Sequence, residues 1–98
     1  MRKTMYKDIM LRNGNIIKKG TIGEVKPIPN NTSACFVTIG DHTYQLRYSS
    51  VFKAPSINQI MKWDWDNGVC KTPAGKKVEP DGYDSEGFPS WQLIIGVI

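Results

Sequence analysis

Residues 18–55 hold three runs that decide the fold: Lys18-Lys19-Gly20-Thr21-Ile22-Gly23-Glu24-Val25, Phe36-Val37-Thr38-Ile39-Gly40-Asp41-His42-Thr43-Tyr44-Gln45-Leu46, and Arg47-Tyr48-Ser49-Ser50-Val51-Phe52-Lys53. The first run enters a strand, the second is a hairpin, and the third turns sharply, through a single turn at Ser49-Ser50, into a short closing strand. Gly20 and Gly23 stand three apart at a strand start, which predicts a tight turn and a close backbone approach. Ile22, Val25 and Ile28 are apolar at a spacing of three, so a bulge near Gly23 is expected to restore the register. Pro27 and Pro29 flank Ile28 and end this strand at an edge. Residues 34–39 form the next strand and Gly40-Asp41 the turn. Along 42–48, His42, Tyr44, Leu46 and Tyr48 share one face, and Thr43, Gln45 and Arg47 the other; Tyr44 and Leu46 point into the core. That order specifies a small, strongly bent β-barrel, an architecture expected to bind rather than to do chemistry.

Working outward, residues 5–11 predict a first strand, Asn13-Gly14 a turn that tolerates positive φ, and Ile16-Ile17 a second short run. Ser56-Ile57-Asn58-Gln59 has capping-box spacing and opens a short helix with Ile57, Ile60 and Met61 on its apolar face. Trp63-Asp64-Trp65-Asp66-Asn67-Gly68 stops that helix. Residues 69–72 and 76–79 pair across Pro73-Ala74-Gly75. Pro80 to Gly87 is turn-rich. Residues 89–98 read equally as a final helical turn or two, with Gly96 as a stop, or as a strand. The chain is therefore expected to be one mainly β domain over 1–98, with a barrel over 5–55 and a helix-and-hairpin extension over 56–98 packed on it.

The stretch Lys19-Gly20-Thr21-Ile22-Gly23-Glu24-Val25 resembles KOW-type and other SH3-like barrels, which carry a Gly-x-x-Gly-x-Val run at a similar place. Leu46-Arg47-Tyr48-Ser49-Ser50-Val51-Phe52 is similar to the 3₁₀ turn and last strand of the same fold. The likeness covers the first half of the chain and implies a small binding barrel. The acidic loop and the paired aromatic grooves of proline-binding SH3 domains are missing, so it does not extend to proline-rich peptides. Val78-Glu79-Pro80-Asp81-Gly82-Tyr83-Asp84 through Gly87-Phe88-Pro89-Ser90-Trp91 is similar to the tails of small bacteriophage-encoded proteins. That resemblance implies a viral source and a host or defence enzyme as the kind of partner bound and modified.

Charge divides the chain. Residues 1–26 carry +5, residues 27–55 carry +1 and residues 56–98 carry −2, for a total of +4. A polarised surface of this kind attracts a nucleic acid or an acidic protein patch. The terminal run Leu93-Ile94-Ile95-Gly96-Val97-Ile98 is far too short to span a bilayer. No apolar segment follows Met1-Arg2-Lys3, so no signal peptide and a cytoplasmic location are expected. Cys35 and Cys70 have no Cys or His at ligand spacing, and two reduced thiols fit better than a disulfide.

No set of residues amounts to a catalytic constellation. His42 is the one histidine, and Asp41 beside it points to the opposite face of a strand. Glu79, Asp81, Asp84 and Glu86 offer oxygen ligands at short spacing but lack the spacing of a calcium loop, so a solvated acidic loop is favoured. No phosphate-binding or dinucleotide loop is present. Trp63 and Trp65 lie two apart and are candidate anchors, whereas Trp91 reads as core. The candidate partner-binding residues are Arg12, Lys18, Lys19, Lys26, Arg47, Tyr48, Trp63 and Trp65, with no catalytic residue, metal or cofactor. The expected function is non-enzymatic binding and modulation of a host or viral protein, with no membrane involved. A nucleic acid held by the basic N-terminal half is the alternative.

Overall fold

The computed structural model describes residues 1–67 and 69–96, with the side chains of 64–67 outside that description. Its strands are β1 (Arg2–Thr4), β2 (Ile9–Met10), β3 (Ile16–Ile17), β4 (Ile22–Pro27), β5 (Ala34–Ile39) and β6 (His42–Arg47). After them come α1 (Tyr48–Val51), α2 (Ile57–Asn67), β7 (Cys70–Lys71), β8 (Lys77–Val78) and α3 (Trp91–Ile95). The protein is mainly β. A four-stranded antiparallel sheet runs in the order β1-β4-β5-β6, and β2-β3 and β7-β8 are separate two-stranded hairpins.

The hairpin at the centre of the sequence forms as its alternation requires. Ala34 pairs with Arg47 and Ile39 with His42, and Gly40 turns the chain at φ +60°. The inner face carries Val25, Cys35, Val37 and Leu46, all buried; the outer face carries Glu24, Lys26, Phe36, Thr38, Thr43, Gln45 and Arg47, all exposed. Among the described residues the ladder ends at β6, with no pairing back to β1 or to β2-β3.

Two expectations for the N-terminal part are corrected. Residues 5–11 are not one strand: β1 lies earlier, at Arg2–Thr4, and β2 is confined to Ile9–Met10. The chain leaves the sheet at Met5, which is buried and whose backbone clasps the glycine turn. The Met5 N–H donates to the Thr21 carbonyl at 2.8 Å, and the Gly20 N–H donates to the Met5 carbonyl at 2.9 Å. The Asp8 carboxylate then accepts from the Lys19 N–H at 2.7 Å. Nor does β4 bulge: its register with β1 and β5 is continuous, from Thr4 opposite Ile22 through Pro27 opposite Cys35. The core positions are Gly23 and Val25, two apart, and Ile22 faces solvent. Gly23 is required because a Cβ there would lie 2.8 Å from Val37 Cγ1 and 3.2 Å from Ile39 Cγ1. Pro27 does end β4, although β4 sits between two neighbours. The Met1 carbonyl takes the Val25 N–H, and β1 reaches no further along the strand.

The second half packs on this sheet through aromatic rings. Tyr48 and Phe52 meet Phe88 edge to face, with centroids 6.2 Å and 6.3 Å away. Ile60, Cys70 and Trp91 complete the same buried cluster. Helix α2 starts as predicted, with the Gln59 N–H donating to Ser56 Oγ at 3.1 Å. It then runs through Trp63 to Asn67, so the segment read as a stop is helical. Its expected apolar face is corrected too: Ile60 is buried, whereas Ile57 and Met61 are exposed. The hairpin of residues 69–79 forms at β7-β8. Residues 91–95 take the helical alternative, with Ser90 Oγ accepting from the Leu93 N–H and Gly96 ending the helix in the left-handed region at φ 77°.

Gly23→Ala is expected to lower stability by about 1–3 kcal/mol in urea denaturation, because the rigid Val37 and Ile39 side chains must move aside. Burial also pushes the Cys35 thiol from its ordinary 9.0 up to about 12, and burial is the main cause pushing the Tyr48 phenol up from its ordinary 10.0. Above pH 9 the unfolded chain loses these protons before the folded one does. Stability is therefore full below pH 9 and falls as the pH rises towards 12, by on the order of 1 kcal/mol per pH unit for Cys35. Denaturation midpoints measured between pH 7 and 11 check this, and a flat profile contradicts it.

Candidate functional site

The basic residues picked out in the sequence sit on different surfaces, and a furrow gathers only some of them. Its first reach is a depression of about 730 Å³ lined by Met10, Leu11 and Arg12 on one side and by Gln45, Leu46 and Arg47 on the other. A second, of about 290 Å³, shares Ser33 and Arg47 with the first and adds Ala54, Trp91 and Ile94. A third, of about 470 Å³, shares Ala54 and Trp91 with the second and ends among Lys53, Trp63 and Lys71. The three therefore adjoin, each sharing two lining residues with the next. Arg12, Arg47, Lys53 and Lys71 are spaced along it, and among the described residues no Asp or Glu lines any of the three.

Each expected site residue has a definite place. Arg12 follows β2 and Arg47 ends β6, both exposed, so the hairpin and the sheet bring them to one depression. Trp63 is half-buried at the far end, with the Lys71 ammonium 5.5 Å from its ring centroid. Lys18 and Lys19 are exposed in the turn after β3, away from the furrow, where the Lys18 carbonyl accepts from the Thr21 N–H. Lys26 lies on the outer sheet face opposite Phe36, also off the furrow. Tyr48 is not a surface residue: it is 0% exposed, and its hydroxyl has no partner among the described residues. The alternation along 42–48 already sets Tyr48 on the face of Leu46, and its ring stays on that core side as the chain enters α1, which corrects its assignment as a partner contact. The side chain of Trp65 lies outside the described residues. Trp91 is core, as expected, with one edge on the furrow.

Lys53, Lys71 and Met10 were not anticipated. The two lysines meet the furrow only through tertiary packing, which no local pattern announces. Met10 is 77% exposed, and Ile16, its partner across the hairpin, is 50% exposed. His42 is exposed, with its ring 5.6 Å from Tyr44.

The acidic loop has an internal task. Asp84 Oδ1 accepts from the N–H groups of Glu86 at 2.9 Å and Phe88 at 3.0 Å, and Oδ2 accepts from the Thr72 hydroxyl at 2.7 Å. Asp84 thus holds the turn that aims Phe88 into the core and ties it to the residue following β7. Among the described residues no three His, Cys, Asp or Glu side chains are gathered as a metal would need. No helix among them is long and apolar enough to cross a membrane.

No known protein family, curated protein or solved structure matches this chain.

Asp84→Ala is expected to lower stability by about 2 kcal/mol or more, since charge-assisted hydrogen bonds at a half-buried site are lost and Thr72 is left without its acceptor. Thermal unfolding measures it; a change within about 0.5 kcal/mol assigns the loop no structural role.

Proposed function

We propose that this chain is a non-enzymatic binding protein whose furrow holds an extended, acidic segment of a protein partner. The observation that carries this reading is the run of four cationic side chains along three adjoining depressions, with no carboxylate among the described residues of their lining. A one-signed cleft attracts and orients an opposite charge, and arginine pairs bidentately with carboxylates. Two features favour a protein over a nucleic acid. Single strands are held by stacking on open aromatic faces, whereas in the furrow Trp91 is buried and the Trp63 ring already has Lys71 beside it. The first depression is also lined by the apolar, exposed Met10, whose cross-strand neighbour Ile16 is exposed as well, a surface suited to excluding water against another protein.

An expected outcome follows for the full chain titrated with a fluorescent glutamate-rich peptide and, separately, with a labelled oligothymidylate. The peptide binds more tightly at matched salt, Arg12→Ala and Arg47→Ala each weaken it roughly tenfold, and Lys18→Ala leaves it unchanged. Tighter binding of the oligonucleotide, with a steep loss in salt, overturns the proposal in favour of nucleic acid.

A further inference from the structure

The two edges of the main sheet are unequal. One edge is β1, three residues long. The other is β6, six residues long, with no proline and one charged side chain besides the lone histidine, at Arg47. Folded proteins normally blunt such an edge with shortness, proline, bulges or inward charges, because a row of unpaired backbone groups is a template for another strand. None of these devices protects β6. Its flank instead borders the widest reach of the furrow, where Gln45, Leu46 and Arg47 form one wall.

Hydrogen-bond parity identifies the groups on offer. The Tyr48 N–H donates to the Ser33 carbonyl, and the antiparallel register pairs Leu46 with Cys35 and Tyr44 with Val37 in the same phase. Those residues turn their backbone toward β5. Thr43 and Gln45, in the opposite phase, turn their N–H and C=O groups away from β5, to the open edge, and Arg47 turns its N–H there, its carbonyl being directed into the first turn of α1 as the N-cap. The same test applies to β2: the Leu11 N–H donates to the Asn15 carbonyl, so Met10, opposite Ile16, has its backbone groups on the side away from β3. The furrow is thus flanked by outward-facing backbone groups as well as by Arg12 and Arg47.

We propose that the acidic partner segment binds as an added β-strand along β6, pairing with Thr43, Gln45 and Arg47; this rests on the acidic-segment reading of the furrow. An added strand places alternate side chains on opposite faces. Those on the outer face lie beside Gln45 and Arg47 and are acidic; those on the inner face lie beside Tyr44 and Leu46 and are apolar. The segment recognised therefore alternates carboxylate and aliphatic side chains.

The test uses the full chain and a synthetic peptide of alternating valine and glutamate long enough to lie along β6, followed by amide hydrogen exchange in nuclear magnetic resonance. In the free protein Thr43, Gln45 and Arg47 are expected to exchange fast, and Tyr44 and Leu46 slowly. On saturation with the peptide, the three fast amides slow at least tenfold. The same peptide N-methylated at alternate residues keeps its charge but binds at least tenfold more weakly. If the peptide binds while those amides stay fast, or the methylated peptide binds equally well, strand addition is overturned and the acidic furrow stands. If neither peptide binds, both readings fall. Slowing of the same amides without peptide, growing with protein concentration, assigns the edge to a second copy of this chain and overturns the partner-strand proposal.

Discussion

The meeting of Tyr48, Phe52 and Phe88 is the interaction on which the rest of this structure depends. Tyr48 and Phe52 end the sheet-forming half of the chain, and Phe88 comes from a loop thirty-six residues after Phe52. Their edge-to-face packing fixes where the C-terminal half sits. That placement brings Ala54, Trp63, Lys71 and Trp91 alongside the sheet, so the second and third depressions owe their position to three rings. Asp84 serves the same end from outside the core, because it shapes the turn that presents Phe88. A polar residue in an exposed acidic loop and an aromatic cluster in the interior thus form one device.

Local chemistry that could be read directly from residues was legible. The hairpin at 34–47 followed from strict alternation about Gly40. The Asn13-Gly14 turn, the Ser56 cap, the 70–78 hairpin and the Gly96 stop all rest on conformational preferences that hold within a few residues. The failures share a cause. Ile22 reads with Val25 and Ile28 as an apolar position of the strand, but the inner position beside it belongs to Gly23, whose lack of a side chain makes room for Val37 and Ile39. Tyr48 reads as a partner contact because it adjoins the basic residues, yet the phase of β6 sends it inward. Which of two plausible neighbours is buried is set by a strand far away in sequence.

The site was legible only in part for the same reason. Arg12 and Arg47 stood out as basic residues, but so did Lys18, Lys19 and Lys26, and nothing in composition separates cations that share a furrow from cations that do not. Lys53 and Lys71 became relevant only once α2 and β7 were placed. Electrostatic character is a property of a surface, and its members are drawn from β2, β6, the 53–56 connection and β7, four segments without a common motif.

The two flanks of the furrow differ in how firmly they are held. One is β6, anchored along its whole length to β5 through six residue pairs. The other is the β2-β3 hairpin, closed by two pairs and standing apart from the main sheet. Ladders this short open at little free-energy cost, while a strand deep in cooperative pairing does not. In the binding mode proposed above, β6 would act as the fixed jaw of a vice that sets the register of the entering segment, and the two-pair hairpin, tipped by Met10, as the jaw that adjusts to its thickness.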